Sequence, residues 1–187
     1  MLVHEVEKGV YLGHVSSRVR AIITTSRNNA MKQLPVGAIA PPFELQTLAG
    51  RPFQLDDAVR GGPVVLAFFK ISCPTCQFAF PYLERIHAAR SAATPRIVAV
   101  SQDEVPETRG FMEKFGLHFE VVIDDHPYPV SSAFGIEYVP GIFTIGGGRS
   151  ILMSDYGFSK ATLNELARGT GVELFSPNDG IPATRPG

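Results

Sequence analysis

Short apolar runs alternate with amphipathic stretches over most of the chain. The longest unbroken apolar run, Val64–Phe69, is typical of a strand that is buried on both faces of a sheet. Beyond it, Cys76, Phe80 and Leu83 follow one another at steps of four and three, which is the spacing of one helix face. The pattern therefore predicts a buried strand followed by an amphipathic helix that is ended by Pro95.

Two hairpins and further strand–helix units complete the pattern. Residues 43–47 and 52–55 flank the turn Leu-Ala-Gly-Arg, and residues 142–145 and 150–154 flank Gly-Gly-Gly-Arg, so each pair predicts an antiparallel hairpin. The other expected elements, in chain order, are a helical turn capped by Asp56, a strand at 96–101, a helix that begins at Asp103 and Pro106 and ends at Gly116, a strand at 119–123, a turn or short helix at 127–135, and a helix capped by Ser159.

This alternation predicts an α/β fold, because helices supply the crossovers that parallel strands need. We expect three parts: an extension over 1–36, a domain over 37–172 and a loose tail over 173–187 that contains three prolines. Glycine, serine and asparagine break up the extension, in which a short strand is expected at 19–25. Met31 offers an alternative start, which would make the preceding residues dispensable.

Charge and apolar content narrow the expected partners. The 187 residues include 17 Lys and Arg against 18 Asp and Glu, so the net charge of −1 gives no strong field for nucleic acid or an anionic membrane. No apolar run approaches the ~20 residues of a membrane-spanning helix. The first thirty residues also lack the apolar core of a secretory signal. We therefore expect a cytoplasmic protein without nucleic-acid or membrane partners.

The two cysteines, Cys73 and Cys76, form the sequence Cys-Pro-Thr-Cys. A secreted disulfide scaffold needs more cysteines, spread along the chain. Three alternatives to a redox-active pair are buried structural cysteines, a zinc site and an inert disulfide. The five histidines show no paired spacing that would complete a zinc site, and a disulfide across so small a loop stabilises little. The pair is therefore expected to carry chemistry, without a metal or another cofactor.

Position assigns a role to each cysteine. The predicted strand ends at Phe69 and the predicted helix begins near Cys73, where unpaired N–H groups and the helix dipole stabilise a thiolate. Pro74 suits the first helical position, because no N–H group is needed there. Cys73 is therefore the expected nucleophile, assisted by Lys70 if its amine reaches back. Cys76 is the thiol expected to resolve a mixed disulfide.

Several motifs occur together between residues 36 and 171. They are Val-Gly-Ala-Ile-Ala-Pro-Pro-Phe at 36–43 with Gly50 and Leu55, the strand at 64–69 followed by Cys-Pro-Thr-Cys, Pro81 five positions after Cys76, Ser101-Gln102-Asp103 with Phe111 and Phe119, and Val139-Pro140 before the strand at 142–145. In this combination residues 37–171 resemble the thioredoxin-like redoxins. The resemblance is strongest to the TlpA-like thiol-disulfide reductases of the alkyl hydroperoxide reductase/thiol-specific antioxidant (AhpC/TSA) branch.

The resemblance implies a thioredoxin-like fold, with a central mixed sheet flanked by helices, an N-terminal hairpin and an inserted strand–helix unit. Pro81 matches the proline that kinks the active-site helix, since it cannot bond to the carbonyl of Gln77. Val139-Pro140 matches the cis-proline beside the cysteines, where the preceding backbone pairs with a substrate strand; the alternative is an ordinary trans turn proline. The residues expected to support the site are Lys70, Ser72, Pro74, Thr75 and Pro81.

This sequence departs from the family pattern in two places. It has no tryptophan, so Ser72 stands where the usual Trp precedes the first cysteine. The predicted active-site strand also lacks the buried acid that often accepts the proton of the second cysteine. Another group must then take that proton from Cys76. The candidates are Lys70, Glu84, His87 and a water molecule.

Three functions fit these residues, and we favour the first. It is a thiol-disulfide oxidoreductase that reduces or exchanges protein or small-molecule disulfides, with thioredoxin or glutathione as electron donor. The second is a peroxiredoxin-like peroxidase, in which Cys73 becomes a sulfenic acid and condenses with Cys76. The peroxiredoxin pattern Pro-x-x-x-Thr/Ser-x-x-Cys is absent around Cys73, and Pro140 also favours the disulfide class. The third is a non-enzymatic redox-sensing module.

Overall fold

A computed structural model describes residues 32–92 and 94–187. The strand expected at 19–25 and the alternative start at Met31 lie outside the described residues. The strands are β1 (Glu44–Thr47), β2 (Pro52–Gln54), β3 (Val64–Phe69), β4 (Arg96–Ser101), β5 (Glu120–Ile123), β6 (Gly141–Ile145), β7 (Ile151–Tyr156), β8 (Phe158–Ser159) and β9 (Thr184–Arg185). The helices are α1 (Leu55–Arg60), α2 (Pro74–Ala88), α3 (Val105–Phe115), α4 (Pro129–Phe134) and α5 (Lys160–Leu166). Within this described part of the chain, no helix has the length and apolar character to cross a membrane.

Seven strands form one mixed sheet in the order β2-β1-β5-β4-β3-β6-β7. The strands β3, β4 and β5 are parallel, because α2 and α3 return the chain to the same edge of the sheet. The hairpin β6–β7 lies antiparallel beside β3, and the hairpin β1–β2 pairs with β5. The expected inserted unit is β5 and α4, between α3 and β6. The architecture is therefore the thioredoxin-like fold that the resemblance implies.

The sheet separates two apolar cores. Successive residues of β3 point to opposite faces, so Val65, Ala67 and Phe69 pack in the core shared with α2, α3 and α5. Leu66 and Phe68 pack in the core shared with α1 and α4. All six residues of β3 are buried, as its uninterrupted apolar run predicted. The strand that leads into α2 is therefore held from both sides.

Two helix ends differ from the sequence predictions. The helix α2 ends at Ala88, well before Pro95. Beyond the helix, the N–H of Thr94 donates to the carbonyl of Ser91, and the hydroxyl of Thr94 accepts from the N–H of Ser91 and donates to the same carbonyl. These hydrogen bonds take the place of further helix. The helix α1 begins at Leu55, with Gln54 at the N-cap and no side-chain cap. Asp56 therefore lies within the first turn, where its charge favours the helix dipole, and it is not the cap.

Residues 33–40 lie along the outer edge of β7. The side-chain amide of Gln33 donates to the carbonyl of Asp155 at 2.8 Å, and the N–H of Gly37 donates to the carbonyl of Ile151 at 2.9 Å. The domain thus begins a few residues before position 37, the start that the sequence predicted. The sequence did not reveal this because backbone and amide groups make these contacts, and such groups leave no apolar pattern.

Replacing Gly135 by alanine is expected to lower the free energy of unfolding by about 1–3 kcal/mol. Gly135 follows α4 with a φ of 68°, and a Cβ there would lie 2.4 Å from the carbonyl oxygen of Lys32. Urea denaturation measures the loss. The matched control is Gly110→Ala within α3, where a Cβ meets no atom within 4 Å. In the control, the free energy of unfolding is expected to rise by about 0.5–1 kcal/mol. A similar decrease in both variants would contradict the view that Gly135 is required by its backbone conformation and its contact with Lys32.

The tail over 173–187 is folded, whereas the sequence predicted a loose segment. The ring of Phe175 packs against that of Phe158, with centroids 5.9 Å apart. Lys160 donates to Asp179 at 2.7 Å, and β9 pairs antiparallel with β8. The prediction was wrong because the apolar residues of the tail are too widely spaced to give a helix or strand period. They anchor the chain one at a time.

Candidate active site

The turn between β3 and α2 places Cys73 and Cys76 at the beginning of the helix. The sulfur of Cys73 accepts a hydrogen bond from the backbone N–H of Cys76 at 3.3 Å, which favours negative charge on this sulfur. Both cysteines are free; Cys73 is half-buried and Cys76 is fully buried. Cys73 is therefore the more accessible of the two cysteines. The nucleophilic role of Cys73 and the resolving role of Cys76 stay predictions.

Burial raises the pKa of the Cys76 thiol far above its usual range. The hydrogen bond to Cys73 and the negative charge of Asp103 act in the same direction, while a backbone hydrogen bond with Lys70 opposes them. At neutral pH Cys76 is therefore a protonated thiol. Any attack by the sulfur of Cys76 therefore requires that this proton first be removed.

The loop before β6 faces the sulfur of Cys73. The thiol of Cys73 donates to the backbone carbonyl of Val139 at 3.2 Å. The Val139–Pro140 peptide bond is cis, which is the geometry that the resemblance implies. Val139 is half-buried and Pro140 is buried. The structure thus brings the predicted groove residues against Cys73, although they are more than sixty positions away in sequence.

Three of the predicted supporting residues lie in the turn around Cys73. Pro74 is the first residue of α2, and both it and Ser72 are exposed. The backbone carbonyl of Lys70 accepts a hydrogen bond from the N–H of Cys73 at 3.2 Å. The ammonium group of Lys70 lies 5.0 Å from the ring centroid of Tyr128, so its charge is directed at that ring. Lys70 therefore supports the turn through its backbone.

The other two predicted supporting residues lie within α2. Pro81 has no N–H group to donate to the carbonyl of Gln77, so the helical bond between them is missing. The side-chain amide of Gln77 donates to the carbonyl of Ile71 at 2.8 Å and joins the helix to the cysteine turn. Thr75, between the two cysteines, is buried, and its hydroxyl donates to the carbonyl of Pro186 at 2.7 Å.

The structure does not bring the predicted proton acceptors Glu84 and His87 to the cysteines. They follow Cys76 by eight and eleven residues, about 12 and 16 Å along a helix. The carboxylate of Glu84 is hydrogen-bonded to the ring of His118, with 2.9 Å between Oε1 and Nδ1. Burial lowers the pKa of His87, and its ring packs edge-on against Phe119. Both residues belong to the far part of α2.

Asp103, which the sequence indicated as a helix start and as part of the Ser101-Gln102-Asp103 motif, lies at the site itself. Its carboxylate accepts a hydrogen bond from the backbone N–H of Ile71 at 2.7 Å, in the turn before Cys73. Its charge also acts on the Cys76 thiol. The available signal was its position: β3 and β4 are adjacent parallel strands, so the residues that follow them meet at one edge of the sheet.

Comparison of the sequence with models of known protein families gives a match that covers most of the site. The AhpC/TSA family model matches residues 36–152, which include both cysteines and Pro140. The chain belongs to the AhpC/TSA family. The match of an AhpC/TSA sequence to a thioredoxin-like sheet agrees with the resemblance seen in the motifs.

Relatives of this AhpC/TSA chain include named oxidoreductases. The thiol-disulfide oxidoreductase ResA of Geobacillus thermodenitrificans is 35% identical over 111 residues, 59% of this chain and 63% of that protein. ResA of Halalkalibacterium halodurans is 30% identical over 143 residues, 75% of this chain and 77% of that protein. A solved structure from Chlorobium tepidum, assigned as a thiol:disulfide interchange protein DsbE, is 27% identical with a TM-score of 0.64. That match covers 71% of this chain and 93% of the other. The chain thus spans less than two thirds of the Geobacillus protein.

Proposed function

We propose that this AhpC/TSA-family chain is a thiol-disulfide oxidoreductase that uses Cys73 and Cys76 as its redox pair. One observation carries the proposal: the half-buried sulfur of Cys73 lies between the N–H of Cys76 and the carbonyl of Val139. Cys73 can therefore attack a disulfide while the substrate backbone aligns with Val139. The relatives support this reading, because their names describe thiol-disulfide oxidoreductases.

The proposed reaction has two exchange steps. In the first, the thiolate of Cys73 attacks one sulfur of the substrate disulfide, so an S–S bond to Cys73 forms and the substrate S–S bond breaks. The displaced substrate thiolate takes a proton. In the second, Cys76 loses its proton and attacks the sulfur of Cys73, which releases the other substrate thiolate to be protonated. The substrate gains two electrons and two protons, and Cys73 and Cys76 become a disulfide.

The partners and the compartment extend the same proposal. The substrates are protein or small-molecule disulfides, and thioredoxin or glutathione returns electrons to the oxidised pair. In the cytoplasm, which we propose as the compartment, the resting state would be the dithiol. These assignments stay predictions.

The test compares two oxidants on the fully reduced protein. We expect the protein to lose its thiols to insulin disulfides faster than a small free thiolate does, and to lose them to hydrogen peroxide no faster than that thiolate. Protein with both thiols alkylated is the control. A peroxide rate far above that of the small thiolate would replace the proposal with a peroxidase. Slow reaction with both oxidants would indicate the redox-sensing module, provided that the reduction potential of the Cys73–Cys76 disulfide is close to the redox potential of the cell.

A further inference from the structure

Residues 182–187, at the end of the tail, run beside the cysteine pair. Their strand β9 pairs with β8, and the N–H of Lys160 donates to the carbonyl of Ala183 at 2.9 Å. The guanidinium carbon of Arg185 lies 4.5 Å from the ring centroid of Phe78 on α2. These contacts hold the segment in one course across the face of the site.

The last three residues of the segment, Arg185, Pro186 and Gly187, border three separate parts of the site. The hydroxyl of Thr75 donates to the carbonyl of Pro186 at 2.7 Å, which leaves Thr75 only 7% exposed. A Cβ built on Gly187 would lie 2.6 Å from the carbonyl oxygen of Val139. A Cβ built on Gly157 would lie 2.4 Å from a carbonyl oxygen of β9. The backbone of the segment therefore fills the space between these parts, which we call the client groove.

The carbonyl of Val139 links the segment to the reaction. This carbonyl accepts a hydrogen bond from the thiol of Cys73 and also borders Gly187. A polypeptide that aligns its backbone with Val139 beside the nucleophile needs the same space. We propose that residues 182–187 are an internal occupant of the client groove, which a polypeptide disulfide must displace before Cys73 attacks it. This inference rests on the proposed function.

Substrate size then decides how strongly the segment acts. A short tethered segment reaches an effective concentration in the millimolar range, well above that of most polypeptide substrates. Polypeptides therefore meet a groove that is free for only a fraction of the time, and their apparent rate is reduced to that fraction of its unhindered value. A small disulfide needs only the half-buried sulfur of Cys73 and does not need the groove. The occupant thus discriminates against polypeptides.

The experiment compares the full chain with a chain that ends at Ile181. An insulin-type polypeptide with its disulfides intact and a small aromatic disulfide are each mixed with both reduced proteins. We expect the shortened chain to react about tenfold faster with the polypeptide and within about twofold of the full chain with the small disulfide. Equal rates on the polypeptide, or an equal acceleration of both substrates, would overturn the inference.

Two full-length variants guard against misfolding of the shortened chain. Gly187→Leu removes the fit against Val139 and is expected to accelerate the polypeptide reaction in the same direction. Asn178→Ala changes an exposed position of the tail outside the groove and is expected to match the unaltered chain. If Gly187→Leu behaves like Asn178→Ala, the segment does not compete with substrate.

A binding measurement separates this inference from the proposed function. The peptide Pro-Ala-Thr-Arg-Pro-Gly, added at millimolar concentration, is expected to shift the amide resonances of Thr75 and Gly157 in the shortened chain and not in the full chain. The result does not depend on any turnover. If neither protein reduces a disulfide but these shifts appear, only the proposed function fails. If the shortened chain shows no shifts, the groove does not bind the segment and the inference fails.

Discussion

A Cys76→Ser variant is expected to accumulate a covalent mixed disulfide between Cys73 and a substrate thiol. Cys73 keeps its place at the start of α2 and its contact with Val139, so the first exchange step proceeds. The second step stops, because a serine hydroxyl does not displace a thiol from a disulfide. Turnover is expected to fall on the order of 10³-fold or more. Mass spectrometry under non-reducing conditions would show the chain plus one substrate molecule.

The matched control for this experiment is Cys73→Ser. It is expected to lose turnover to the same extent and to form no adduct, because Cys76 is buried and its thiol holds its proton at neutral pH. An adduct on Cys76 in this control, with none on Cys73 in the other variant, would reverse the two roles. Equal turnover in all three proteins would remove the pair from the mechanism.

Replacing Phe80 by alanine is expected to lower the free energy of unfolding by about 3–5 kcal/mol. Phe80 is fully buried on α2, one turn after Cys76, and its ring centroid lies 4.6 Å from that of Phe69. The rings of Phe111 and Phe119 also pack against it. Domains are typically stable by about 5–15 kcal/mol, so this single cavity removes a large share of the margin. Denaturation by urea gives the value.

The same substitution at Phe115 serves as the comparison. Phe115 packs against Phe111 at 4.7 Å but is only half-buried, so solvent fills much of the space that alanine leaves. The loss is expected to be about 1–2 kcal/mol. Losses of equal size at Phe80 and Phe115 would show that the core around α2 collapses onto the missing ring.

Local chemistry made the central part of the fold predictable. The uninterrupted apolar run of β3 predicts a strand that is buried on both faces, and all six of its residues are buried in the structure. Gly116 ends α3 with a φ of 59°, and the hydroxyl of Ser159 accepts from the N–H of Thr162 at the start of α5, as their residue types indicated. These features depend on neighbours in sequence, so a single sequence contains them.

The site was only partly predictable, because its remaining members come from distant segments. Val139 and Pro140 were found through the resemblance, and Asp103 was overlooked as a member of the site. The approach of Pro186 to Thr75 had no sequence signal, since a backbone carbonyl of any residue could make that bond. Contacts made by backbone groups across more than a hundred residues leave no periodicity to read.

The segment along β7 also bears on how copies of the protein meet in concentrated solution. Gly37 and Ala38 occupy the outward N–H and carbonyl groups of Ile151, so a foreign strand finds them already paired. Open sheet edges recruit neighbouring chains and begin aggregation. The opposite edge, β2, has three residues and begins with Pro52, which offers no N–H group. Both borders of the sheet are therefore poor templates for edge-to-edge assembly.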